Sequence, residues 1–152
     1  MAKNYSLILL LLPMKRSIIF PWILRLLAAI ILLQTLFFKF TAAEESVFIF
    51  TQMGIEPWGR IVTGIAELIA AILILNRSTL FLGALMALGI MTGAILSHIV
   101  VLGIEVQQDG GQLFIYASLV WLCSLILILL NRHQLTAFLE KMVGKSTKTA
   151  SK

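Results

Sequence analysis

Glu67 interrupts an otherwise apolar run, GIAELIAAILIL, from Gly64 to Leu75. A carboxyl group in such surroundings can pass a proton, hold the polar head of a ligand, or clamp one helix to another. Thr63 lies one helical turn away, and Arg60 lies seven residues away on the same face. Other chemistry-bearing residues are sparse. His98 and His133 are the only histidines, and Cys123 is the only cysteine. A lone thiol forms no internal disulfide and offers no C-x-x-C redox pair. No P-loop, dinucleotide fingerprint or hydrolase nucleophile elbow is present.

The elements that must position Glu67 follow from composition. The chain has 152 residues, 60% hydrophobic and 12% charged, with a mean hydropathy of +1.01. Soluble domains carry about 25% charged residues, and a chain of this size could not hide so much apolar surface from water. The membrane class follows. Apolar segments at 17–40, 58–75, 79–102 and 112–130 each meet or approach the ~20 residues that cross a bilayer. Lipid leaves free backbone groups unsatisfied, so each segment is expected to be a helix. The fold expected is all-α: a four-helix transmembrane bundle spanning 17–132. Residues 1–16 form a separate N-terminal segment, and 133–152 a basic tail. The three residues NRS at 76–78 make a tight hairpin of the second and third spans. VFIFTQM, before GIEPWG, is too short to cross and reads as an interfacial or extended piece.

YSLILLLLP resembles a signal-peptide core, but no small-residue cleavage site follows it. The alternative site, TAA before Glu44, follows an apolar stretch longer than such cores. Both features speak against cleavage. The net charge of +5 is read as orientation, since no basic patch interleaved with aromatics suggests nucleic acid. Lys3, Lys15, Arg16, Arg77, Arg132 and the tail lysines fall on one side of the expected bundle. Glu44, Glu45, Glu56, Glu105 and Asp109 fall on the other. The positive-inside rule puts both termini in the cytoplasm, for a multi-pass protein of the cell (inner) membrane.

Depth then sorts the polar residues. Glu67 is expected about 14 Å inside the outer surface, protonated and donating a hydrogen bond. Gln34 and Ser124 are at matching levels, with Thr63 beside them. Arg25, in the cytoplasmic half of the first span, can snorkel to that interface. Lys39, Arg60, His98 and Glu105 gather near the outer surface. They form either a solvated rim of helix ends or a polar mouth leading toward Glu67. Gly89 and Gly93, in a G-x-x-x-G arrangement, read as helix packing within the bundle, or else as a homodimer face. His98 and His133 belong on opposite sides of the membrane, so no metal site is expected.

The order of these features resembles the DoxX family of small four-span membrane proteins. The match runs over roughly residues 18 to 132 and rests on the layout plus G-x-x-E-L-x-x-x-x-L-x-L at Gly64–Leu75. Arg25, Lys39, Pro57 and Glu67 stand at the matching positions. The resemblance implies a four-helix membrane bundle. Its namesake resembles a subunit of an archaeal thiosulfate:quinone oxidoreductase, and other members associate with thiol or oxidative-stress systems. Related proteins assist assembly of other membrane proteins. Three functions are therefore expected in competition. One is a non-catalytic accessory or scaffold subunit of a redox or stress-response complex, with a membrane or peripheral redox partner. The second is a quinone-interacting redox subunit using Glu67. The third is a small transporter. No cofactor other than a quinone is suggested.

Overall fold

The computed structural model describes the backbone of residues 3–132 and the side chains of residues 18–132. The described residues form five α-helices: α1 (Lys3–Phe40), α2 (Glu44–Gln52), α3 (Trp58–Leu75), α4 (Leu80–Ser97) and α5 (Gln112–Leu130). A π-helical turn, His98–Leu102, extends α4. Four stretches are long and apolar enough to cross a membrane: Ile18–Phe40, Trp58–Leu75, Leu80–Leu102 and Gln112–Leu130. Among the described residues there is no strand. The backbone of residues 3–16 is helical and runs into the apolar stretch that begins at Ile18. The basic tail at 133–152 lies outside the described residues.

The spans pack in a ring, α1 on α3, α3 on α4, α4 on α5 and α5 back on α1. Their shared core is built largely from small side chains. Ala28, Ala70, Ala71, Ala84 and Ala87 are fully buried, with Leu32, Ile74, Val120 and Leu127 filling the space between them. Small residues let helix axes approach closely, and dispersion then holds the bundle where lipid offers no hydrophobic driving force. The outward faces carry exposed large apolar residues, among them Ile30, Phe37, Ile72, Leu96 and Leu129. A water-soluble protein exposes no such continuous apolar surface.

The hairpin of α3 and α4 shows how locally the packing is set. Asn76 Oδ1 accepts from the Ser78 backbone N–H at 3.1 Å and from the Ser78 hydroxyl at 2.9 Å. Thr79 donates to the Leu73 carbonyl at 3.1 Å. The chain reverses so tightly that a Cβ at Gly83 would sit 2.6 Å from the Ile74 backbone nitrogen. Only glycine fits there. By contrast, a Cβ at Gly89 or Gly93 would meet nothing within 4 Å. Those two do not bring helices together inside the bundle, as their spacing suggested; Gly83 does.

The two ends of the bundle differ in charge. Trp22 of α1 meets Arg77 of the α3–α4 turn at one end, here called the basic end. At the other, acidic end, α2 lies across the opening between α1, α3 and the π-turn. Its residues Ser46 and Phe50, one turn apart, are buried. The short segment VFIFTQM is thus helical, and it acts as a cover. The loop after the π-turn is organised by Asp109. Asp109 Oδ1 accepts from the backbone N–H groups of Val106 and Gly111 at 2.8 and 2.9 Å, and Oδ2 accepts from Leu113 at 3.0 Å. The bond to Leu113 satisfies an orphan donor in the first turn of α5, and the other two tie down the loop before it. Val106, only 2% exposed, anchors the loop to the bundle.

Candidate functional site

A cavity of about 430 Å³ lies at the acidic end, lined by all five helices and the π-turn. Most of its wall is apolar, including Ile31, Phe38, Phe50, Ile90 and Met91. A few polar groups converge on it, which is the usual make-up of a small-molecule site.

Glu67 is one of them, 3% exposed. Lys39 Nζ donates to Glu67 Oε2 at 2.6 Å, and the Thr35 hydroxyl lies 2.9 Å from the same oxygen. Thr35 is also 2.8 Å from the Leu32 carbonyl, so its one proton serves either acceptor. The sequence suggested Glu67 as a donor; here Oε2 accepts. Lys39 and Thr35 stand one turn apart on α1, so one face of that helix carries both partners. Among the described residues Glu67 Oε1 has no hydrogen-bond partner.

His98 is 5% exposed and lines the same cavity. Its Nδ1 is 2.8 Å from the Gly103 carbonyl. A carbonyl only accepts, so Nδ1 carries a proton, and in the neutral ring Nε2 is the acceptor. The π-turn places this ring, since it widens the last turn of α4 and ends at Gly103 with φ +81°, where a side chain would be strained. Phe114 packs edge-on to the imidazole with centroids 5.7 Å apart. Tyr116, also on the wall, accepts at its hydroxyl from Gln112 Nε2 at 2.6 Å. Its own proton remains to be donated. The cavity therefore offers donors (Lys39, Tyr116) and acceptors (Glu67 Oε1, His98 Nε2) within an apolar wall.

The other expected residues fall as follows. Gln34 and Thr63 line the cavity, but neither bonds to Glu67; Thr63 donates within its own helix, to Gly59 at 2.7 Å. Ser124 is fully buried, does not line the cavity, and its hydroxyl has no partner among the described residues. Arg25 is at the basic end, 5.0 Å above the Trp22 ring, away from Glu67. Arg60 is held by Glu56 at 2.7 Å and donates to the Lys39 backbone carbonyl, satisfying an orphan acceptor at the end of α1. Glu105 is exposed and not on the cavity wall. The four-residue mouth thus resolves into Lys39 and His98 on the cavity, with Arg60 acting as a brace for α1. Gly89 and Gly93 open onto the cavity.

Three contributors were not foreseen: Thr35, the cover helix with Glu45, and Tyr116. The spacing of Thr35 to Lys39 could have exposed the first. Nothing in the sequence predicted that α2 would fold over the opening. Burial pushes the Glu45 carboxyl above its usual value, and the nearby Asp109 charge adds to this. Burial acts the same way on Asp109, but its three backbone hydrogen bonds and the His98 ring outweigh it and hold that carboxyl low.

The geometry defines a four-span helical membrane protein with a covered, sparsely polar cavity at one end. The chain belongs to the DoxX-like family, whose model matches residues 23–127. No curated protein and no solved structure matches it.

Proposed function

We propose that this DoxX-like protein is an accessory subunit of the cell (inner) membrane that holds the head of a quinone or quinol for a redox partner. The observation that carries the reading is the buried Lys39–Glu67 pair inside an apolar cavity of about 430 Å³. A quinone has a planar apolar ring and two carbonyl oxygens. Lys39 and Tyr116 can donate to those oxygens, and Glu67 Oε1 and His98 Nε2 can accept from the hydroxyls of the reduced form. The chain supplies no redox centre in this reading, so electrons come from the partner. The positive-inside rule orients the basic end to the cytoplasm and the cavity to the opposite face.

The test is retention of quinone. Protein reconstituted into lipid nanodiscs with added ubiquinone or menaquinone is re-isolated, and the bound quinone is extracted and quantified. The wild type should carry close to one equivalent above lipid-matched empty discs. Lys39→Met combined with Glu67→Leu should carry none. Retention equal to empty discs would remove the quinone reading. Recovery of a stoichiometric protein partner, unchanged in Glu67→Gln, would leave the scaffold reading in its place.

A further inference from the structure

The basic end holds a second constellation, independent of the cavity. Arg25 is 7% exposed, yet its Nε and Nη1 are buried without a hydrogen-bond partner among the described residues. Its guanidinium lies 5.0 Å from the centroid of Trp22. Arg77, exposed in the α3–α4 turn, lies 5.7 Å from the same ring. Two cations thus share one indole, and no carboxylate forms an ion pair with either among the described residues. The sequence explains the shortage. Of its seven acids none precedes Glu44, and Glu140 alone follows Asp109. Those from Glu44 to Asp109 sit at the acidic end, except Glu67, which lies within the bundle and is paired with Lys39.

A buried, unpaired guanidinium is expensive, and mutual repulsion with Arg77 adds to the cost. Cation–π contact with Trp22 offsets part of it but satisfies no N–H. An anion with several acceptor oxygens would satisfy both guanidinium groups. Arg77 fixes the level: it sits at the hairpin tip, where a span ends and headgroups begin, and Trp22 is of the type that sits there. Arg25 is one turn deeper along α1. A phosphodiester at the bilayer surface would receive Arg77 from the rim and Arg25 from below.

We propose that Arg25, Arg77 and Trp22 form a site for a phosphate group, supplied by the headgroup of an anionic phospholipid. Planar guanidinium forks suit phosphate oxygens. The rest of the lipid lies along the exposed apolar faces of α1 and α3, where Ile23 and Ile72 are open.

Native mass spectrometry of the full chain, released from discs of mixed phosphatidylglycerol and phosphatidylcholine, tests this. The wild type should retain one phosphatidylglycerol in strong preference to phosphatidylcholine. Arg25→Met and Arg77→Gln should each lower that preference about fivefold, the size expected for one cation near a charged surface. Arg132→Gln should not. Thermal unfolding in neutral detergent covers the case of poor folding. There Arg25→Met should be more stable than wild type, having lost an unpaired charge, and added phosphatidylglycerol should raise the wild type and Arg132→Gln more than Arg25→Met. Stabilisation by inorganic phosphate at the same concentration would overturn the lipid as source. Preference that survives Arg25→Met, or that is absent in wild type, would overturn the site. A gain in lipid preference in Glu140→Gln would place the counter-charge within the chain and overturn it too.

Discussion

The Lys39–Glu67 pair invites a double-mutant cycle, because its two terms are large and opposed. At 2.6 Å and an effective dielectric of about 20, the attraction is about 6 kcal/mol. Removing each ion from water costs several kcal/mol in return. The whole pair is therefore worth little, while half of it is a burden. Glu67→Leu leaves a buried ammonium, and Lys39→Met leaves a buried carboxylate held only by Thr35. Breaking a buried pair costs about 3–5 kcal/mol. The Lys39 side chain is 14% exposed and keeps some access to polar surroundings, so its loss of partner should fall at the lower end, about 3 kcal/mol. Replacing both with Met and Leu should cost no more than about 1 kcal/mol. The two single costs together exceed the double by at least about 5 kcal/mol, which is the expected coupling. Unfolding in detergent micelles, followed by the tryptophan signal, measures all four corners. Additive single costs would refute the reasoning, since they would mean that the two groups do not share one buried site.

Four further outcomes follow from the same geometry. Gly83→Ala should destabilise by about 1–3 kcal/mol through overpacking, whereas Gly89→Ala should gain up to about 1 kcal/mol from helix propensity; thermal melts of the two variants separate the cases. Asp109→Ala should cost about 1–2 kcal/mol by uncapping α5. Because the Asp109 carboxyl is held low in the fold, its contribution is full above the ordinary carboxylate range and fades as pH falls through its lowered value. The gap between wild type and Asp109→Ala in melts should narrow only under that acid condition. Glu45 has the opposite sign: its carboxyl is raised, so ionising it in the fold is penalised as pH rises past its raised value, and Glu45→Gln should stabilise at neutral pH while matching wild type in acid. Finally, in a background with Cys123 replaced, Glu44→Cys and Glu105→Cys should react with an impermeant maleimide added outside intact cells; protection of both would reverse the orientation proposed from the positive-inside rule.

The sequence by itself determined the class and layout of this protein. Hydropathy is a sum over neighbours along the chain, so the four spans could be read from composition within each stretch. The tight NRS turn followed from its length, and Glu67 stood out because its surroundings were apolar whatever the fold. Pairing was different. Which residues meet depends on how each helix is rotated about its axis and on how far it slides past its neighbours. Depth alone favoured Gln34 and Ser124 as partners for Glu67; rotation of α1 turned Thr35 and Lys39 inward instead. The same limit hid the role of Gly83 behind the more conspicuous Gly89 and Gly93, since close approach is a property of two backbones and not of spacing in one. Only the tertiary structure decided that α2 covers the cavity, that Asp109 ties the loop to α5, and that Arg25 is buried beside Trp22 without a carboxylate. The first joins segments far apart in the chain; the other two are local in sequence, but they depend on backbone conformation and on what the rest of the bundle buries, neither of which a one-dimensional pattern records.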